Sequence, residues 1–501
     1  MRGPSSPERR WRARERSALY AALGGAFLVF ALLAIAHRGP WYDELYTYYM
    51  TRPGQPFGAL WAGWLRDNHP PTYYFLAWLA NLFGPALVAH RLINLVIAGA
   101  ALSVLWALAR VCTALRPLLF AYLVACASYP SAVMQVAELR SNFLAYASAA
   151  LAVAALVGLA TPESRRGRGR AAVLCTVLAF AFCVHLAETV IVAGVCAAFG
   201  LRLLLERALP QAARLAVIGA LAAVPFVLCM AVQLATIAGN TQVFWIAGGL
   251  SAARWAIELE VLANLAANPA LTLAGLVGLA FLVAGDFRRR RVSEPLRLVL
   301  TLAGGLALAV AMLVVIHLQR PFIIDRYLVG LHPPIGMIMA IGSASALERL
   351  GKGGRTLLCV ALVAGAIWAM AAAERLVEAR TSWDGTGAAI GELVRACPTT
   401  RVYSDTAWNR VTLDLPPRDN RAVIPFAYRW VAQRHGFALT DARSRDLSPA
   451  CPTVFWTEHV AGQSPSAGAI IASLRARGFA IGTADLRRIG DGWLLVVAPD
   501  G

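Results

Sequence analysis

The chain has 501 residues, 58% of them hydrophobic and 15% charged, with a formal net charge of +18. A soluble domain carries about 25% charged residues, so the composition excludes an ordinary soluble protein and places the chain among membrane proteins. The positive charge does not indicate nucleic acid, because the arginines stand in short runs between apolar stretches, the pattern of cytoplasmic membrane loops.

Residues 1–16 are Arg-rich and read as a cytoplasmic basic tail. Residues 17–36 are an uncharged, mostly apolar run, long enough to cross a hydrocarbon core of roughly 30 Å. Ala34-Ile35-Ala36 resembles a signal-peptide cleavage site. The length of the run and the many spans after it favour a retained first helix, and on either reading His37 onward is external.

The external loop runs over residues 37–88. It contains Trp41-Tyr42-Asp43-Glu44-Leu45-Tyr46-Thr47 and, further on, Asp67-Asn68-His69-Pro70-Pro71-Thr72-Tyr73-Tyr74. Residues 56–65 and 72–83 are aromatic and apolar but short and interrupted, which predicts interfacial rather than spanning segments. Trp41, Trp61, Trp64 and Trp78 fit the aromatic belt at headgroup level.

Spans follow over 89–111, 117–129 and 131–160, the last two around an external turn with Gln135, Glu138, Arg140 and Asn142. The basic run 165–170 marks the inside. Further spans cover 171–185, 189–205 and 215–237. The external stretch 238–268 includes an amphipathic piece, 251–265. Span 271–284 ends at Arg288-Arg289-Arg290-Arg291, and 298–317 leads out to Arg320, Asp325, Arg326 and Tyr327. Residues 328–346 return to Arg349, Lys352 and Arg355, and 356–373 cross last. With the N-terminus inside, roughly eleven crossings put every arginine cluster on one side and Asp43-Glu44 on the other. The opposite packing would draw charge through the midplane at about 2.5–3.5 kcal/mol per residue.

The fold class is therefore an α-helical polytopic membrane protein, with residues 17–373 as the transmembrane domain. Residues 374–501 change composition, with strand-like 401–404 and 493–497 and helix-like 385–396 and 466–478, and read as a small extracytoplasmic α/β domain. Seven of the nine cysteines lie in apolar stretches and read as small buried hydrophobes. Cys397 and Cys451 lie in the polar region and can pair if that region is outside. No CxxC or HExxH pattern indicates zinc.

An acid at a membrane face is costly unless it is paired or functional. Asp43 and Glu44 are adjacent, so on a helix they point to different partners. Like charge and partial desolvation raise at least one pKa, which suits a general base; the plain alternative is Asp43 as a helix cap. His69 is fixed by the two prolines that follow it, near Asp67, where it can hydrogen-bond a phosphate. Arg140 and Arg326 follow apolar stretches on the external side. Their guanidinium forks suit phosphate, the alternative being arginines that snorkel to headgroups.

The two motifs of the first loop resemble those of the dolichyl-phosphate-mannose–protein mannosyltransferase-like family of the GT-C superfamily. The stretches from Ser128-Tyr129-Pro130 to Glu138-Leu139-Arg140, and Arg326-Tyr327-Leu328 followed by His332-Pro333-Pro334, are similar to bacterial members. The resemblance covers residues 18–370. It implies a membrane glycosyltransferase that takes a sugar from a polyprenyl-phosphate-linked donor at the external face of the plasma (inner) membrane. The acceptor hydroxyl belongs to a lipid, glycan or protein. Direct displacement inverts the sugar carbon. Asp43 and Glu44 are then the catalytic acids, and Tyr46, Asp67, His69, Glu138, Arg140, Arg326 and Tyr327 the substrate-binding residues. Some relatives use a divalent metal, for which Asp43, Glu44 and Asp67 are the candidate ligands, though no spacing demands one. The chain departs from the family where Asp-Glu-Ala becomes Asp43-Glu44-Leu45, where Arg-Pro-Tyr becomes Arg140-Ser141-Asn142, and where Thr-His becomes Val184-His185.

Rival readings are a transporter or lipid flippase, a polysaccharide polymerase or ligase, and a catalytically silent relative. A transporter places its polar residues near the midplane in related halves, whereas here the acids cluster in external loops. A polymerase would place arginines in a large late loop, and residues 319–326 are short.

Overall fold

The computed structural model describes residues 6–112, 115–160, 168–240, 246–380, 382–409, 422–458, 466–482, 484–490 and 492–499. Residues 1–5 of the basic tail, Arg165, Arg166 and Gly167 of the basic run, and residues 241–245 of the external stretch lie outside them. The chain divides into two compact units: residues 1–36, 68–242 and 246–377, and residues 37–67, 243–245 and 378–501.

In chain order the helices are α1 (Ser6–His37), α2 (Tyr42–Thr51), α3 (Phe57–Trp64), α4 (Thr72–Leu79), α5 (Leu87–Arg91) and α6 (Ile93–Val111). Next come α7 (Arg116–Ser128), α8 (Pro130–Val136), α9 (Asn142–Ala160), α10 (Arg168–Phe182), α11 (Leu186–Leu205) and α12 (Leu209–Asn240). Then follow α13 (Leu250–Ala267), α14 (Pro269–Arg289), α15 (Glu294–Gln319), α16 (His332–Arg349) and α17 (Lys352–Ala379).

Among the described residues, 8 helices are long and apolar enough to cross a membrane, or 9 if α7 and α8, bent by 64°, count as one. The chain is a multi-pass membrane protein. The sequence gives about eleven crossings, and the difference falls at three places. Pro130 holds Tyr129 extended and breaks the helix there. The apolar part of α10, Ala171–Phe182, is too short to span. α16, although almost wholly buried, is not among the spanning helices. As the sequence predicts, α3 and α4 are short, with Phe57, Trp61 and Phe75 exposed.

The first unit packs through small residues, as helices in lipid do. A Cβ on Gly278 of α14 would fall 1.8 Å from the Gly342 carbonyl oxygen of α16, and one on Gly305 of α15 would fall 2.8 Å from the Val195 Cα of α11. Outward faces are apolar: Val217, Leu221, Val224, Leu228 and Val232 form an exposed stripe on α12 at helical spacing. At one end of α11, Arg202 binds Glu206 at 2.9 Å and Glu294 at 2.6 Å. His185 stands at the other end.

The second unit contains a sheet of four strands, β1 (Arg401–Ser404), β2 (Thr453–Thr457), β3 (Ala484–Ile489) and β4 (Gly492–Val497), in the order β1-β2-β4-β3. β1 and β2 are parallel; the other pairs are antiparallel. Helices α18 (Trp383–Ala396), α19 (Val423–Arg434) and α20 (Ala467–Ala476) complete it. Side chains alternate across the sheet with period two. Val402, Val454, Trp456 and Leu494 join Ile390 of α18 and Tyr428 of α19. Tyr403, Phe455, Leu495 and Val497 join Ile470 and Leu474 of α20 on the other face. Cys397 and Cys451, just ahead of the two parallel strands, form a disulfide with Cα atoms 5.7 Å apart.

Residues 37–67 belong by their contacts to this unit, where the sequence keeps the whole loop 37–88 with the helices. Leu45 is the reason. It is fully buried in the core that also contains Trp383, Ile390 and Tyr428.

Candidate active site

The acidic helix α2 follows extended Trp41 and has Asp43 and Glu44 in its first turn, where the helix dipole favours negative charge. Successive helical residues point about 100° apart, and the two acids differ accordingly. Glu44 is fully buried and Asp43 half-buried. Aromatic contacts hold α2 in place: Tyr49 lies 5.1 Å from Phe426, and Tyr48 lies 6.1 Å from Trp430, both on α19. Arg52 stacks over Tyr49 at 4.3 Å. The Tyr46 hydroxyl donates to Asp67 Oδ1 at 3.1 Å. The second motif is thereby tied at its acid to the first.

His69 lies in the other unit. Its carbonyl accepts from Gln233 Nε2 of α12 at 3.3 Å, and Thr72 Oγ1 donates to the Cys183 carbonyl at 2.6 Å. The His-Pro-Pro turn therefore sits at the junction of α10 and α11. His185, in extended backbone at the start of α11, has its ring 5.7 Å from His69 and 4.6 Å from Tyr327. Glu138 and Arg140 occupy the turn before α9 and both are buried. Asn94 on α6 donates to the Glu138 carbonyl at 2.7 Å and accepts from the Tyr73 hydroxyl at 3.2 Å. Arg326 and Tyr327 lie in a single 3-10 turn, Asp325–Tyr327, with the Arg326 guanidinium 5.7 Å from the Tyr327 ring.

Burial pushes the His185 pKa well below the ordinary imidazole value, and the charges of His69, Arg140 and Arg326 push it further. Three groups picked out from the sequence therefore act on one imidazole, two of them guanidinium cations, and the Tyr327 ring lies tilted beside it. Such an arrangement can hold an anion with several donors. Asp43, Glu44, Tyr46 and Asp67 belong to the second unit, and His69, Glu138, Arg140, Arg326 and Tyr327 to the first.

Two residues had no role in the sequence reading. His185 stood only as a departure from a family pattern. Glu188, three residues on, is 1% exposed with neither carboxylate oxygen bonded. An ionisable residue in an apolar stretch was the available signal. Among the described residues, Asp43, Glu44 and Asp67 do not bring three ligand atoms to one ion-sized space, so no divalent ion is assigned to them.

No protein-family model matches the sequence, and no curated protein matches it significantly. Solved structures do. ArnT from Cupriavidus metallidurans in the apo state aligns over 96% of this chain and 98% of its own, with 13% identity and a TM-score of 0.57. The same protein bound to undecaprenyl phosphate aligns over the same shares, with 12% identity and a TM-score of 0.54. At that identity the likeness concerns the fold. The chain shares the fold of ArnT and is a polytopic membrane protein, as its apolar runs imply.

Proposed function

We propose that the protein transfers a sugar from a polyprenyl-phosphate-linked donor to an acceptor hydroxyl at the external face of the plasma membrane. The observation that carries this reading is the His185 ring lying between those of His69 and Tyr327, with the Arg326 guanidinium beside Tyr327 and the charges of Arg140 and Arg326 acting on the imidazole. A lipid phosphate gains charge as it leaves the sugar, and donors fixed where that charge develops lower the barrier. Arginine forks meet phosphate oxygens in pairs, and Tyr327 adds a hydroxyl. A neutral His185 can donate one hydrogen bond without adding to the local repulsion. The ArnT structure bound to undecaprenyl phosphate supports a lipid phosphate as the anion.

Asp43 takes the proton of the acceptor hydroxyl as that oxygen attacks the anomeric carbon. The bond from carbon to phosphate oxygen breaks, and the configuration inverts. Asp67, held by Tyr46, and the buried Glu44 lie in the same unit as Asp43. The test is Asp43→Asn, assayed for transfer from a radiolabelled polyprenyl-phosphate sugar. General-base removal costs about 10²- to 10⁴-fold; undiminished turnover would falsify the assignment. A transporter would leave the donor bond intact in both proteins.

A further inference from the structure

The segment between α15 and α16 carries Arg326 and Tyr327 on short 3-10 turns, Asp325–Tyr327 and Val329–Leu331. Its first part follows no helix or strand. There the backbone N–H groups of Phe322 and Ile323 both donate to Nδ1 of His317, at 3.1 and 3.0 Å. His317 is in the last turn of α15 and fully buried, and Ile323 is 2% exposed. A buried amide without an acceptor is costly, so this one nitrogen anchors the buried Ile323 and the half-buried Phe322 beside it.

Nδ1 can accept only in the neutral ring, with the proton on Nε2. Nε2 has no partner of ordinary hydrogen-bond geometry; the Gly249 carbonyl ahead of α13 is the backbone group that influences the ring. A second proton would place an N–H against two N–H donors and break both bonds. Few charges on the neighbouring elements bear on that equilibrium. α13 has Arg254 and Glu258, paired with each other at 2.6 Å, and Glu260, bonded to His332 of α16 at 2.7 Å. α11 contributes Glu188. The segment itself has Arg320, bound to the Ala238 carbonyl, and Asp325, bound to the Arg326 N–H.

We propose that His317 is a positioning residue whose neutral imidazole clasps Phe322 and Ile323, places Arg326 and Tyr327 for the donor, and lets go when protonated. The donor part rests on the function proposed above. Three forms of the full-length protein in detergent separate the possibilities: wild type, His317→Leu, which fills space without an acceptor, and His317→Asn, which keeps an acceptor that does not titrate. Hydrogen exchange of residues 320–331 reads the clasp directly. KM and kcat for a labelled polyprenyl-phosphate sugar read its consequence.

In His317→Leu the two amides exchange about tenfold faster and donor KM rises about tenfold, the scale of a lost hydrogen bond, while kcat moves little. His317→Asn restores both and flattens the acid limb of kcat/KM. Unchanged exchange in the Leu variant overturns the clasp, as does an Asn variant that melts like wild type yet restores nothing. Faster exchange with unchanged donor KM removes the segment from the donor site and with it the role assigned to His317, leaving Asp43 to be judged by its own assay.

Discussion

The His185 ring lies 4.6 Å from the Tyr327 ring, and the two segments meet again three residues further along each. Glu188 stands three residues after His185, and Gly330 three after Tyr327. A Cβ on Gly330 would fall 1.9 Å from Glu188 Oε2 and 3.1 Å from Ile191 Cδ1. The first turn of α11 and the segment 325–331 are thus meshed at two points. The carboxylate ends a flexible chain, but it is buried and has little room to retreat. Gly330→Ala should lose about 1–3 kcal/mol of stability through overpacking, read as a lower melting temperature, together with weaker donor binding. Adding Glu188→Ala should recover much of the loss; strict additivity of the two changes in a double-mutant cycle would show that they do not meet.

His185 should make the protein sensitive to acid. Its folded pKa is depressed by burial and by His69, Arg140 and Arg326, so on acidification the unfolded chain takes up the proton first. The stability linked to this group is full above the ordinary imidazole range, about 6.5, and is lost as pH falls below it. His185→Gln should flatten the acid side of a plot of melting temperature against pH. Arg140→Gln should move the His185 titration upward, measurable by NMR of ¹³C-labelled imidazole. A His185 that titrates at the same pH in both proteins would show that Arg140 is not coupled to it.

Much of this architecture is legible in the sequence because lipid imposes it. Runs such as 17–36 and the arginines at 288–291 follow from burial of apolar surface and exclusion of charge, and both are local properties. The strands at 401–404 and 493–497 are legible as short, mostly apolar runs, because both faces of the sheet are covered. Tertiary packing is what hides the rest. Leu45 reads as a small departure from a motif, yet it is a fully buried core residue of the second unit, and this settles where α2 belongs. His185 and Glu188 matter through residues about 140 positions away, a relation no spacing rule expresses. His317 looks like a polar end to a span, and only the path of the segment after it turns its Nδ1 toward two amides.

Asp405 follows β1 and is almost wholly buried, with Oδ1 unbonded and Oδ2 accepting from Asn409 at 3.4 Å. Burial pushes its pKa up to about 7, against the pull of Asn409 and Tyr428. The sign is opposite to that of an ion-paired carboxylate. The folded state holds the proton more tightly than the unfolded one, so stability falls as pH rises from about 4 to about 7 and stays reduced above. Asp405→Asn mimics the protonated acid. It should raise stability at pH 8 by an amount on the order of a few kcal/mol and change little at pH 4. A variant equally weakened at both pH values would show that the carboxyl is needed for its shape and not penalised for its charge.

The disulfide closes a loop of sequence separation 54, starting just ahead of β1 and ending just ahead of β2. Cross-linking a loop of that length restricts the unfolded chain by an amount worth about 4 kcal/mol in the chain-entropy treatment. These two strands are parallel and are joined by a long connection that includes α19, so the bridge shortens the search for their pairing. Replacing Cys397 and Cys451 together by serine should make residues 378–501 markedly more sensitive to limited proteolysis, with the helical unit resisting as before. Disulfides persist in oxidising compartments, so the same pair also reports the side of the membrane. In intact cells both thiols should resist alkylation until a reductant is added, and a membrane-impermeant reductant given once the outer barrier is opened should suffice. Ready alkylation of both cysteines without reductant would place this unit in the cytoplasm, and Asp43, which belongs to the same unit, would then face the wrong side for an externally presented donor.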